Sequence, residues 1–288
     1  PLERQAALAA VRRALELGVS FFDTADIYGR GTAEELLGEA LAGRRESCII
    51  CTKFGNRENA DGRRYADFSE SWLRQSIEGS LRRLRTDSLD IILLHGPPDD
   101  FDWQRFDPVP FDDLVQKGTI RAYGVSSRSV AGAGQVIASG FGRAVEVIYN
   151  AMDRRIEFEL LPRAAARDVD IIARVPLAKG FLSNRYFHQE PQFDSRDHRQ
   201  SIAPGEKDWM LRAARSLAFL DELPGGMTVS ALRFCLSDPR VSAVIPGMST
   251  AAQVTANFQA MQLGPLPDAV LRRVAEAVRD IYPGWRTA

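Results

Sequence analysis

Seven short apolar runs recur along this chain, and each is followed by a stretch with the spacing of a helix. The runs are FFDTA from Phe21, SCIICTKFG (47–55), DSLDIILLHG (87–96), IRAYGVSS (120–127), AVEVIYN (144–150), VDIIARVPL (169–177) and VSAVIPG (241–247). Several are apolar at successive positions, so both faces of the strand must be covered. The intervening segments can provide that cover. In 3–17, for example, Leu8, Val11 and Leu15 share a face, Arg12, Arg13 and Glu16 lie elsewhere, and Gly18 stops the helix.

Strands that alternate with helices and are buried on both faces form a parallel sheet. No Pro-, Gly- or Ser-rich linker divides the chain, so one domain over 1–288 is expected, with the α/β architecture of a (β/α)8 barrel. A doubly wound open sheet is the alternative. It would be expected to carry G-x-G-x-x-G after its first strand, and no such motif is present there. The chain enters on a helix with seven strands to follow, which suggests that the barrel's first strand precedes Pro1.

A formal net charge of -1 over 288 residues offers no electrostatic footprint for nucleic acid or an anionic membrane. No apolar run reaches the ~20 residues a membrane helix needs. A small-molecule partner in the cytoplasm is the expectation, and the oligomeric state is not legible. Cys48 and Cys51 have C-x-x-C spacing, but on a strand residues three apart point to opposite faces, so buried structural thiols are expected. His95, His188 and His198 show no metal-ligand spacing with them, and no metal is expected.

In a barrel, reactive groups sit where strands end. Asp23 ends the first run and Tyr28 lies in its loop. Lys53 closes CIICTK, His95 ends DIILLH, and Ser126 with Ser127 ends AYGVSS. Asn150 and Arg174 fall at or near the ends of two further runs. Lys53 is one of only four lysines among 37 basic residues, and it follows an apolar strand. A buried ammonium needs a carboxylate partner to keep its charge, and Asp23 is the candidate. Each of these residues alone has a bland structural reading. Together they describe a phenol made more acidic by an ammonium, with an imidazole beside it to orient a carbonyl oxygen. Such a tuned acid suits carbonyl reduction by an external hydride donor.

These residues and their surroundings resemble the aldo-keto reductases, NAD(P)H-dependent (β/α)8 enzymes that interconvert carbonyls and alcohols. The likeness runs through FFDTADIYG, AEELLGEAL, CTKFG, GSLRRLRTDSLDIILLHGP, GTIRAYGVSS, IYNAMDRR, ARVPLAKGFLS and VIPG. It implies a catalytic set of Asp23, Tyr28, Lys53 and His95, with Tyr28 as general acid. It leaves Asp26 outside that set, with a loop-structuring role expected, and it implies a short N-terminal hairpin ahead of the barrel's first strand.

The resemblance also implies cofactor contacts from Ser126, Ser127, Glu146, Arg174, Pro176, Leu177, Gly180, Gly247, Ser249, Gln253 and Asn257. Four of these depart from the family's usual pattern. Ser127 stands in place of the Asn of the usual Ser-Asn pair, Glu146 stands at the usual Gln, and Arg174 stands where an aromatic often stacks on the nicotinamide. A carboxylate at 146 can accept from a carboxamide NH2 but cannot donate to its oxygen. Ser249 and Thr250 stand where a basic residue usually grips the adenosine 2′-phosphate. NADP(H) is expected ahead of NAD(H), with weakened discrimination. The same family resemblance admits a cofactor-binding regulatory subunit of the channel β-subunit type, or a redox-neutral biosynthetic enzyme that retains its nicotinamide.

Overall fold

The computed structural model describes residues 4–59, 61–183, 200 and 202–281. The chain alternates as expected: α1 (Arg4–Glu16), β1 (Phe21–Asp23), α2 (Thr32–Ala40) and β2 (Ile49–Phe54), then a hairpin of β3 (Asn56–Glu58) and β4 (Arg64–Ala66). Next come α3 (Glu70–Leu84), β5 (Leu89–His95), α4 (Val109–Gln116), β6 (Ile120–Ser126), α5 (Val130–Ser139) and β7 (Ala144–Ile148). The remainder is α6 (Leu160–Ala165), β8 (Asp170–Arg174), α7 (Pro204–Ser216), α8 (Gly226–Leu236), β9 (Val241–Ile245), α9 (Ala251–Leu263) and α10 (Asp268–Val278).

Seven strands form one sheet in the order β1-β2-β5-β6-β7-β8-β9, so each main strand lies beside its predecessor. The registers recorded from β1 to β7 are all parallel. Sequential parallel strands joined by helices are the (β/α)8 barrel class. Capping explains where several helices begin and end. The Ser69 hydroxyl accepts from Trp72 N at the start of α3, and the Ser129 hydroxyl accepts from Gly132 N at the start of α5. Helix α5 closes on Gly140 with φ 76°, the left-handed conformation that glycine adopts most easily.

The residues group into two compact units: Pro1–Val147 with Leu160–Ile172 and Met248–Thr255, and Ile148–Glu159 with Ala173–Gly247 and Ala256–Ala288. In the first unit, α2 and α3 approach closely at Gly38, where a Cβ would come 2.6 Å from the Arg83 and Leu84 backbone. Beside this contact Glu34 is fully buried. It accepts from Thr52 Oγ1 at 2.7 Å and from Arg83 Nε at 2.7 Å. Ala10, Ala14 and Val254 form a small core cluster with Leu17, Val19, Phe22 and Met248. In the second unit, Val229, Leu232 and Ala260 pack with Leu177, Leu236 and Val244.

Register determines which side chains share a face. Asp23 pairs with Cys51, Lys53 with Leu93, His95 with Ser126, and Ser126 with Glu146. Side chains alternate along a strand, so Asp23, Cys51, Lys53, His95, Ser126 and Glu146 all project from one face. Ile50, Phe54, Ile92, Leu94, Val125 and Val145 project from the other and are fully or almost fully buried. The cysteines follow the same logic: Cys48, Cys51 and Cys235 are all buried and free.

The β3–β4 hairpin lies in the polar segment NRENADGRRY, which has no apolar run to mark a strand. Asp61-Gly62 is a turn signal, and Gly62 adopts φ 77° with its N–H donating to Asn59 O. Asn56–Glu58 then pair antiparallel with Arg64–Ala66. Within the polar stretch 183–206 the chain is helical from Pro204, while 184–199 and 201 lie outside the described residues.

Candidate active site

Strand β2 carries Lys53 into the interior with no exposed side-chain surface. Its Nζ donates to both Asp23 oxygens at 2.5 Å and to Thr24 O at 3.0 Å. A second carboxylate completes the cluster, with Glu146 Oε2 lying 3.1 Å from the same nitrogen. Glu146 Oε1 accepts from Ser126 Oγ at 3.0 Å. Burial opposes the Lys53 charge, but the charges of Glu146 and Asp23 outweigh it and hold its pKa above the ordinary lysine value. Burial raises Asp23 to about 7, and repulsion from Glu146 adds to it against the pull of Lys53.

Tyr28 sits on the loop after β1, and its residue surface is 43% exposed. Lys53 Nζ lies 5.6 Å from the centre of its ring. His95, at the end of β5, meets the same ring edge to face, with centroids 5.7 Å apart. The four residues Asp23, Tyr28, Lys53 and His95 therefore converge within one unit. The Tyr28 residue is exposed, and the ammonium near its ring is shut away from water.

The surroundings hold this arrangement. Asp26 accepts from Ser76 Oγ at 2.9 Å, and its N–H donates to Lys53 O, so it ties the Tyr28 loop to α3 and β2. Arg30 pairs with Glu58 at 2.5 Å, linking that loop to the β3–β4 hairpin. Asn56 Nδ2 donates to His95 O at 3.1 Å. In the loop after His95, Phe101, Trp103 and Phe106 stack on one another, and Trp103 and Phe106 continue onto Phe141. Arg57 is committed to Asp67 at 2.7 Å and to the Trp72 ring at 4.0 Å.

The expected cofactor residues divide between the units. In the first, Ser126 and Ser127 are buried, and Ser127 Oγ donates to Ser129 O at 2.8 Å. Ser249 N and Oγ both donate to Gln253 Oε1, at 2.8 and 3.0 Å, at the start of α9. In the second unit, Arg174 is half-buried at the end of β8 and its carbonyl accepts from Tyr149 N. Pro176 and Leu177 then enter a turn in which Val175, Ala178, Lys179 and Gly180 have φ of 55°, 46°, 56° and 94°. A β-branched residue in the left-handed region is strained, and Asn150 Nδ2 holds the Val175 carbonyl at 3.1 Å. Asn257 is buried, and Gly247 follows β9 with open space where a Cβ would stand.

Sequence reasoning placed Glu146 against a cofactor and missed its ion pair with Lys53. The signal was present: Glu146 shares the strand-face parity of Lys53, two strands beyond β5.

The family model described as "Aldo/keto reductase family" matches residues 1–279. This chain belongs to the aldo-keto reductase family. It is similar to the uncharacterized oxidoreductase YqkF of Bacillus subtilis (strain 168), with 32% identity over 99% of this chain and 92% of that protein. Among solved structures it is similar to the holo form of aldo-keto reductase AKR11C1 from Bacillus halodurans. That match has 28% identity and a TM-score of 0.81, over 99% of this chain and 92% of the other. An aldo/keto reductase from Klebsiella pneumoniae in complex with NADP and acetate is 25% identical with a TM-score of 0.68, over 95% and 85%. The aldo-keto reductase described here is thus an enzyme of the oxidoreductase class with a (β/α)8-type fold. Among its described residues no helix is long and apolar enough to cross a membrane.

Proposed function

We propose that this aldo-keto reductase reduces an aldehyde or ketone to an alcohol, or runs the reverse, with Tyr28 as the general acid. The observation that carries this reading is the fully buried Lys53, gripped by Asp23 and lying 5.6 Å from the Tyr28 ring. A nearby ammonium favours the phenolate over the phenol.

The residues present fit a nicotinamide. Glu146 Oε2 is buried and paired with the Lys53 ammonium at 3.1 Å, without a further hydrogen bond among the described residues, so a remaining lone pair suits a carboxamide NH2 donor. In the first unit, Ser126, Ser127 and Glu146 are the residues proposed for the nicotinamide end, and Ser249 and Gln253 those for the adenosine end. In the second unit, Arg174, Pro176, Leu177, Gly180, Gly247 and Asn257 are the residues proposed as dinucleotide contacts. When bound, that group supplies the hydride equivalent to the carbonyl carbon. Tyr28 gives its hydroxyl proton to the carbonyl oxygen, Lys53 stabilises the phenolate left behind, and His95 orients the oxygen beside the phenol. No basic side chain stands at 249 or 250, so NADP(H) is favoured over NAD(H) only weakly.

The two units interleave several times along the sequence, which supports reading 1–288 as one catalytic domain. A small-molecule carbonyl partner in the cytoplasm, without nucleic acid, completes the reading. Single-turnover mixing of the protein with NADPH and with NADH across aldehydes and ketones tests it. Loss of nicotinamide absorbance with a subset of substrates is expected. Tight cofactor binding with no oxidation by any substrate would reject the reductase reading.

A further inference from the structure

Lys53 is surrounded by more negative charge than it can balance. Its ammonium is bound by Asp23 at 2.5 Å and flanked by Glu146 at 3.1 Å. Oxygen atoms of these two carboxylates and Cys51 Sγ all lie within 4.8 Å of one another, and the Lys53 ammonium already supplies a cation to that group. One ammonium and two carboxylates leave one uncompensated negative charge. The side chains of Lys53, Glu146 and Asp23 are 0%, 4% and 13% exposed, so little water screens it. Two carboxylates sharing such a site cannot both ionise easily, and uptake of a proton relieves the excess.

We propose that Glu146 is a positioning residue for the proton donor: with Asp23 it forms a two-carboxylate cradle around Lys53 that takes up one exchangeable proton, and the charge of that cradle sets how strongly Lys53 acts on the Tyr28 hydroxyl. This rests on the reading of Tyr28 as the general acid. The groups that bear on the cradle are Cys51 on β2, Ser126 on β6, the Thr24 carbonyl and Tyr28 after β1, with His95 ending β5. The charged residues of β8 are Asp170 and Arg174.

Asp23 is the member that gains the proton, since burial and then the Glu146 charge push it up to about 7. With the proton on, the cradle is neutral and Lys53 favours the phenolate, so Tyr28 gives up its proton readily. With the proton off, the cradle is negative and opposes that loss. Proton donation to a carbonyl is therefore easier on the acid side of neutrality.

Absorbance titration of tyrosine ionisation tests this on the substrate-free enzyme, with Tyr28 isolated as the difference between each protein and its Tyr28→Phe counterpart. Above about pH 8 the wild-type cradle is negative and the Glu146→Gln cradle is neutral. The Tyr28 midpoint should therefore fall by about one pH unit in Glu146→Gln and stay near wild type in Glu146→Asp. An unmoved midpoint in folded Glu146→Gln overturns the proposal.

A second measurement needs no change at Glu146. In an Asp26→Asn background, the infrared band of a protonated carboxyl group should be present at about pH 6 and lost by about pH 8. Absence of that band at both pH values overturns the proposal even if Glu146→Gln fails to fold. If the titrations behave as expected but Tyr28→Phe still turns over, the cradle stands and the general-acid assignment falls.

Discussion

His95 meets Tyr28 edge to face, with ring centroids 5.7 Å apart and ring planes at 83°. The contact brings an imidazole alongside the phenol, and Asn56 Nδ2 anchors the His95 carbonyl at 3.1 Å. In the proposed reaction His95 orients the carbonyl oxygen, so it acts on turnover more than on dinucleotide binding. His95→Ala should lower kcat by about 10²-fold while the NADPH dissociation constant, read by fluorescence titration, stays within about twofold. Equal losses in kcat and in cofactor affinity would assign His95 to binding instead.

Asp26 is a scaffold residue with a cost. Burial raises its carboxyl from 3.8 to about 6, and its Oδ1 has no hydrogen-bond partner among the described residues. Between those pH values the folded protein holds a proton that the unfolded chain has released. Stability therefore falls as pH rises through the window, and the full penalty is present above it. Two pH units correspond to about 3 kcal/mol at most, and partial solvation reduces this. Asp26→Asn keeps an oxygen to accept from Ser76 and should raise the unfolding free energy by about 1–2 kcal/mol at pH 7.5. The gain should vanish near pH 3.5. Urea unfolding at both values checks it, and destabilisation at both would show that the carboxylate itself holds the loop.

At the start of α9, Ser249 bonds to Gln253 through both its N–H and its hydroxyl. Neither side chain carries charge for a 2′-phosphate. Ser249→Arg should supply one charge-assisted contact, about 1.5 kcal/mol, and so raise the NADPH-over-NADH ratio of kcat/KM by roughly tenfold. An unchanged ratio would mean that the adenosine end binds elsewhere.

Much of this molecule was legible because periodicity and residue chemistry agree. Each main strand was expected from a short, largely apolar run, and parallel register then brings Asp23, Lys53 and His95 onto one face. Where the sequence misled, local polarity concealed a pairing. The β3–β4 hairpin is short and polar, so its one local signal was the Asp61-Gly62 turn. Glu146 is a charged residue inside an apolar strand, and its partner Lys53 lies more than ninety positions away. That distance closes only once the strand order is known. In the loop after His95, the stacking of Phe101, Trp103 and Phe106 on one another and onto Phe141 brings together rings whose partner at 141 lies far along the sequence.

The account stands on Tyr28 as the proton donor. Replacing it with phenylalanine keeps the ring beside His95 and removes only the hydroxyl. Single-turnover hydride transfer by Tyr28→Phe, measured with an aldehyde that the wild-type protein reduces, should be slower by about 10²–10⁴-fold with NADPH affinity nearly unchanged. Hydride transfer at the wild-type rate in that variant would contradict the account.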